Sequence, residues 1–235
     1  MPASTLLKAS ILEIFKSRQG EGICAGDPQV FVRFGGCNLT CDYCDTPESI
    51  PARSGRELSI EDVLNRLAEL GRGDPLPAIS LTGGEPLMQA PFLEGLVPGL
   101  RARGYKIYLE TNGTLPKALG RIVNACDWIA MDFKPESAIG QDLWEAHRWF
   151  LEIGGDKVFV KMVLTDATKE TEFHRGVAMI ARVRPAIPLV LQPATPWGKA
   201  RSIPLPRLTS WWEWATRRVR DVRIIPQIHR LWEIP

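Results

Sequence analysis

Phe34-Gly35-Gly36-Cys37-Asn38-Leu39-Thr40-Cys41-Asp42-Tyr43-Cys44-Asp45-Thr46 holds three of the chain's five cysteines, spaced C-x3-C-x2-C. Three close thiolates in a loop point to soft-metal chemistry. A structural zinc site closes four ligands around its ion, typically as two Cys/His pairs. No Cys or His pair lies nearby to complete such a site. Three thiolates are what a cubane 4Fe–4S cluster needs when one iron is to stay open for a ligand. A non-catalytic zinc-binding module is the alternative from another class, and a loop with three unpaired cysteines is the bland one.

The loop sits in a regular alternation. Residues 29–34 (QVFVRF) form a short β-rich run that delivers the cysteines at its end, and residues 6–15 mix apolar and polar positions in a strand-like way before it. Residues 47–57 read as loop or insertion. Ser59, with Asp62 three positions on, is close to a capping box and opens a helix carrying Val63, Leu64, Leu67 and Leu70, which residues 71–75 end. Further strands are read at 78–81, 105–110, 128–133, 157–164, 188–192 and 222–225. Helices are read between them at 92–103, 116–124, 138–153, 169–183 and 205–219. Strands alternating with helices imply a parallel sheet with right-handed crossovers. The unusual residues fall at the C-terminal ends of successive strands: the cysteine loop, TGGE, ETNG, DFK and QPAT. In α/β barrels that rim builds the active site. The expected fold is therefore an incomplete (open) parallel α/β barrel of about six strands.

C-x3-C-x2-C with an aromatic residue, Tyr43, before the last cysteine resembles the signature of radical S-adenosylmethionine (SAM) enzymes. The resemblance implies that Cys37, Cys41 and Cys44 hold a 4Fe–4S cluster whose open iron is chelated by the amino and carboxylate groups of SAM. Reduction then splits the sulfonium and releases a 5′-deoxyadenosyl radical. Tyr43 would meet the adenine. Gly84 and Glu85 of Thr82-Gly83-Gly84-Glu85-Pro86 resemble the segment that holds the SAM amino group, although the stretch is by itself an ordinary strand-to-helix turn. Glu110 and Asn112 would bond the ribose and methionine, Lys134 the SAM carboxylate, and Gln192 and Thr195 the adenosine.

Beyond the superfamily, the chain resembles the 7-carboxy-7-deazaguanine synthase family over nearly its whole length. The resemblance rests on Ser17-Arg18-Gln19-Gly20-Glu21-Gly22, the C-D-T end of the cysteine loop, TGGEP, ETNG and the ending Gln227 to Pro235 with its His-x5-Pro. It implies ring contraction of 6-carboxy-5,6,7,8-tetrahydropterin to 7-carboxy-7-deazaguanine with loss of ammonia, in queuosine and deazapurine biosynthesis. SAM would be re-formed at the end. It further implies Mg²⁺ held by Thr46, with Arg33 pairing the substrate carboxylate. Arg18, Gln19, Gly20, Glu21, Thr82, His229 and the carboxylate of Pro235 would line the pterin. One departure stands out: some members carry Ser-Pro-Lys where this chain has Asp132-Phe133-Lys134. Asp-x-Lys also occurs in activating enzymes of glycyl-radical proteins, the alternative function, though those need neither QGEG nor a terminal proline.

With 235 residues the chain is long enough for one domain with a full core. The expected organisation is a single domain, 1–235, with a short N-terminal substrate-binding segment and a C-terminal tail closing the active site. Net charge +2, from 29 basic and 27 acidic residues, argues neither for nor against nucleic acid, and no nucleic-acid partner is expected. No apolar run reaches the roughly 18–20 residues of a membrane span, and no secretory leader is apparent. Clustered ligand cysteines fit a reducing, cytoplasmic setting, and Cys24 and Cys126 read as small apolar residues. An electron donor such as flavodoxin or ferredoxin and a homodimer are expected. Trp211, Trp212 and Trp214 are too closely spaced for one helix face, which suggests a helix packed on two sides, at a subunit contact or in the core.

Overall fold

The computed structural model describes residues 7–70, 78–196, 198 and 200–234. β1 (Lys8–Arg18) runs antiparallel to β2 (Pro28–Phe34), and β3 (Arg56–Ser59) returns antiparallel along the other side of β1. From there helix and strand alternate. The order is α1 (Ile60–Leu70), β4 (Ala78–Gly83), α2 (Ala90–Ala102), β5 (Lys106–Thr111), α3 (Pro116–Ile122), β6 (Trp128–Phe133), α4 (Glu136–Ile139) and α5 (Trp144–Gly154). It continues with β7 (Val158–Leu164), α6 (Glu170–Val183), β8 (Leu189–Pro193), α7 (Leu205–Thr216), β9 (Val222–Ile224) and α8 (Ile228–Trp232). The sheet has nine strands in the order β3-β1-β2-β4-β5-β6-β7-β8-β9, and every pairing from β2 to β9 is parallel. Among the described residues β3 and β9 are unpaired edges, so the barrel is open, as expected. Its parallel part, β2 with β4 to β9, is one strand longer than about six because three-residue β9 joins it.

Strand alternation divides the side chains between two faces. In β6, Ile129, Met131 and Phe133 join the core under the helices, while Ala130 and Asp132 face the barrel interior. In β7, Val158, Val160 and Met162 face the helices, and Phe159 and Lys161 face inward. Both faces are buried, which is why these strands read as nearly continuous apolar runs. The lower interior is sealed by Tyr108, Ala130, Phe159 and Val190, with Ile23, Cys24 and Ile225 packed on them. Above this plug the inward positions turn polar.

Several local expectations hold, and some change. Ser59 and Asp62 cap α1 reciprocally: the Ser59 N–H donates to Asp62 Oδ2 (2.9 Å) and the Asp62 N–H to Ser59 Oγ (3.1 Å). The segment 47–57 is not all loop, because its end forms β3 against residues 8–11 of β1. The single helix expected over 138–153 is two. α4 ends at Gly140, and Asp142 Oδ1 accepts the Trp144 N–H (3.1 Å) to start α5. The turn expected at 71–75 lies outside the described residues. The tryptophans of α7 pack on two sides within the chain. Trp211 stacks on Phe173 (4.5 Å between centroids) and Trp214 on His174 (3.8 Å), both on α6. Trp212 Nε1 instead donates to the Val222 carbonyl of β9 (3.0 Å). The tail is not held by burying its apolar side chains. Leu231 and Trp232 are 70% and 52% exposed. The Ile228 N–H donates to the Gly20 carbonyl (2.8 Å), and polar groups do the rest.

Candidate active site

The C-terminal rim of the parallel strands opens on a cavity of about 390 Å³. Cys37, Cys41 and Cys44 line one wall, residues 18–21 another, and His229 and Ile234 of the tail a third. Gln29, Ser80 and Glu110 underlie the N-terminal side. Gln19 is 3% exposed and anchors it: its Nε2 donates to Glu110 Oε1 (3.0 Å) and Gln29 Oε1 (3.2 Å), and its Oε1 accepts the Glu21 N–H (3.0 Å). Arg18 donates to the Gly26 carbonyl (2.9 Å), closing the same loop. Glu21 then points inward. Its carboxylate takes Lys161 Nζ, Gln192 Nε2 (3.1 Å) and Gln227 Nε2 (2.8 Å).

All five cysteines carry free thiols. Burial pushes the Cys41 thiol up to about 11 and raises those of Cys37 and Cys44. Cluster loading therefore has to displace thiol protons. Cys37, Cys41 and Cys44 lie on one wall of one cavity, and three soft thiolate donors there suit an iron–sulfur cluster with one iron left open. Among the described residues Glu21, Asp45 and His229 bring three ligand atoms within 4.8 Å of one another. Glu21, Asp45 and His229 themselves are held together at the tail. Gln227 Nε2 bridges Glu21 and Asp45 (2.8 and 3.1 Å), and His229 Nε2 lies 3.6 Å from Asp45. Burial alone would raise the Asp45 carboxyl, but its hydrogen bond with His229 and the charges of Lys161 and Arg230 outweigh that and hold it well below the usual range.

Of the residues expected at SAM, Tyr43, Gly84, Glu110, Asn112, Lys134, Gln192 and Thr195 line the cavity, and Glu85 does not. Lys134 Nζ sits over the Tyr43 ring (4.8 Å) and pairs with Asp132 Oδ2 (2.8 Å). The Thr195 N–H reaches Gln227 Oε1 at 3.4 Å. Several of these side chains also bond within the protein. Glu85 is fully buried and does not line the cavity; its oxygens accept the N–H groups of Leu87 (3.0 Å) and Asn112 (2.7 Å) and the Thr111 hydroxyl (2.8 Å). Asn112 Nδ2 donates to Asn38 Oδ1 (2.9 Å) and its Oδ1 accepts the Thr114 hydroxyl (2.6 Å), so it ties the cysteine loop to the end of β5. Glu110 accepts from Gln19 and Ser80, and Gln192 Nε2 donates to Glu21, while among the described residues Gln192 Oε1 is buried without a partner. Glu85 thus ties the turn after β4 to the end of β5. The glycines beside it serve the chain as much as any ligand: a Cβ on Gly83, where φ is +125°, would lie 2.2 Å from the Phe34 carbonyl oxygen.

Burial lifts the Glu85 carboxyl to about 7, although three donors favour its anion. The folded protein then keeps a proton that the unfolded chain releases near 4.5. Its contribution to stability is present below about 4.5 and is lost as pH rises through about 7, at up to about 1.4 kcal/mol per pH unit. Tm against pH for native and Glu85→Gln protein checks this: the native-minus-variant difference should decline between those values. A flat difference means that Glu85 does not titrate there.

On the opposite wall Arg33 donates from Nε to Glu13 Oε1 (2.7 Å) and stacks on Phe15 (5.5 Å). Among the described residues its Nη atoms have no partner. Thr46 and Thr82 line the cavity, and the Thr46 hydroxyl faces the Cys44 sulfur. Pro235 lies outside the described residues. Sequence reading missed Lys161, Gln227 and Asp45. The one charged residue inside the apolar run VFVKMVL was the available signal for Lys161. Gly20 touches the tail so closely that a Cβ there would fall 2.3 Å from His229 Nδ1 and 2.6 Å from its Cβ. Gly20→Ala must therefore displace the base of α8, not only a flexible tip. We expect iron content to hold while substrate affinity falls. Calorimetric binding checks it, and native affinity would show that the tail does not need this contact.

An open parallel barrel with three such cysteines at its rim defines a radical SAM enzyme, and residues 31–135 match the family described as the Radical SAM superfamily. Such enzymes use a 4Fe–4S cluster and SAM. The chain is 42% identical to the 7-carboxy-7-deazaguanine synthase of Geobacter sulfurreducens, covering 94% of this chain and 96% of that one. It is 39% identical to the enzyme of the same name from Methanopyrus kandleri, covering 94% and 92%. The crystal structure of QueE from Escherichia coli shares the fold, with TM-score 0.65 at 21% identity over 94% of this chain and 95% of that one. The chain belongs to the 7-carboxy-7-deazaguanine synthase family.

Proposed function

We infer that the chain contracts the ring of 6-carboxy-5,6,7,8-tetrahydropterin to 7-carboxy-7-deazaguanine with loss of ammonia, the step that leads to queuosine and related deazapurines. One observation carries this reading. Residues 18–21, the cysteine loop and His229, far apart in sequence, wall a single cavity. The relatives' shared name supports no role as a glycyl-radical activating enzyme. When bound, the cluster held by Cys37, Cys41 and Cys44, together with SAM, supplies the adenosyl radical that takes hydrogen from the pterin C6.

The chain's own residues orient the reactants. Tyr43 and Thr195 take the adenosine side and Lys134 the SAM carboxylate, with the backbone at Gly84 nearby. Glu110 and Asn112, on the cavity wall, take the ribose and methionine and Gln192 the adenosine, while Glu85 holds the turn beside Gly84. Across the cavity the two Nη atoms of Arg33 take the pterin carboxylate as a fork. Mg²⁺ at Thr46 beside that carboxylate suits a hard cation with oxygen ligands. Glu21, backed by three donors, accepts the N–H groups of the pterin's amino-pyrimidine edge, with Gln19, Gly20, Arg18, Thr82 and His229 around it. The reading includes one domain whose 18–21 segment and tail close the site. It also includes a homodimer and a reductant such as flavodoxin or ferredoxin. No helix among the described residues is long and apolar enough to cross a membrane, and an oxygen-sensitive cluster supports a cytoplasmic home.

Calorimetry on the reconstituted holoenzyme tests the substrate assignment. The carboxylated tetrahydropterin should bind at least about tenfold tighter than its analogue without the carboxylate, and the difference should shrink when Mg²⁺ is removed. Equal affinities would remove Arg33 and Thr46 from the recognition of that group.

A further inference from the structure

Four side chains alternate in sign across the cavity floor: Glu21, Lys161, Asp132 and Lys134. Lys161 Nζ binds Glu21 and lies 3.2 Å from Asp132 Oδ2. The same oxygen takes Lys134 Nζ at 2.8 Å. All four side chains are only 11–15% exposed. One end of the row, Lys134 over Tyr43, borders the cysteine loop. The other end, Glu21, is joined by Gln192 and Gln227 from β8 and the tail. Asp132 is the hinge between the halves, and its second oxygen, Oδ1, is buried without a partner.

We propose that this row couples the two ligand sites, so that a carboxylate arriving at Lys134 strengthens Glu21 as an acceptor for the second ligand. The proposal rests on the placement of SAM at Lys134 and of the pterin at Glu21 given above. Two anions share two cations here, and a buried charge deprived of its partner is costly, so a change at one end is passed along. When the SAM carboxylate takes Lys134, Asp132 loses part of one cation. Lys161 compensates by turning toward Asp132, whose unpartnered Oδ1 gives it a further acceptor. Glu21 is then less neutralised, and the N–H groups of the pterin meet a stronger acceptor. The coupling is reciprocal, because the pterin must favour SAM by the same factor. Asp132 and Lys161 are positioning residues in this scheme, and Asp132 has a role that serine at that position would not supply.

The test uses cluster-reconstituted enzyme without reductant, so that no turnover occurs. Calorimetry gives the pterin Kd with and without saturating SAM, and their ratio is the coupling factor. The native factor should fall in the range of about 5–150 typical of coupled sites. Asp132→Asn and Lys161→Met should each cut it at least about fivefold, and the double variant no further than either alone, as for members of one unit. A merely structural role would weaken both ligands and leave the factor unchanged. An unchanged factor in Asp132→Asn protein with native iron content overturns the proposal, even if Lys161→Met fails to fold. Native enzyme that binds SAM but not the pterin would instead sink the functional reading, and this proposal with it.

Discussion

Alanine in place of Cys37, Cys41 or Cys44 is expected to remove most of the iron and all SAM cleavage, whereas Cys24→Ala and Cys126→Ala should keep both. Three ligands leave no spare, and among the described residues no other cysteine lines the cavity. Cys24 packs against the apolar plug at the bottom of the barrel, and Cys126 is 1% exposed with its sulfur 3.5 Å from the Ile122 carbonyl oxygen. Burial pushes their thiols to about 11 and about 12, as it does that of Cys41, so it is their position away from the rim that keeps them from the cluster. Losing an outer-shell partner of a metal site typically costs about 10–100-fold, so losing a ligand should leave less than about a hundredth of the native 5′-deoxyadenosine yield. Iron per chain and 5′-deoxyadenosine yield are the readouts. Full iron and activity in Cys37→Ala protein would show that the ligands are misassigned.

Arg33→Lys should cost far more than the conserved charge suggests. A guanidinium presents two parallel N–H groups to a carboxylate, and an ammonium cannot reproduce that fork. Arg33 is prepared for the task, with Nε fixed by Glu13 and its plane on Phe15. Losing one charge-assisted hydrogen bond costs about 1.5–3 kcal/mol, or roughly one to two orders of magnitude in pterin affinity. SAM affinity should not change, because Arg33 lies on the opposite wall from Lys134. An unchanged Michaelis constant for the pterin would take Arg33 out of the site.

The fold was readable where local chemistry and the global pattern agree. Ser59 with Asp62 announced α1, and the run at 157–164 announced a strand, which the fold then buries on both faces. β3 was hidden because Arg-Glu-Leu-Ser has little strand character and forms only by pairing with β1. The break between α4 and α5 rests on one Asp142 cap inside an otherwise helical pattern. The motifs at strand ends were legible and the fold gathers them at one rim, but the bonds each side chain makes within the protein were not. Glu85 and Asn112 sit in motif positions, yet their side chains are occupied by backbone and loop groups that only the folded rim brings near. Lys161 belongs to no motif. It acquires its place because β7 lies beside β6 in register, with Lys161 opposite Asp132. The tail carries Leu231 and Trp232 exposed, and the fold holds it through Gln227, Ile228 and His229, contacts that no sequence pattern marks.

Anaerobic incubation of the reconstituted enzyme with SAM, reductant and 6-carboxy-5,6,7,8-tetrahydropterin, followed by mass spectrometry, tests the central claim most directly. The account predicts a product of the mass of 7-carboxy-7-deazaguanine, with ammonia released in equal amount and more product formed than SAM consumed. Release of 5′-deoxyadenosine with the pterin left intact would contradict it.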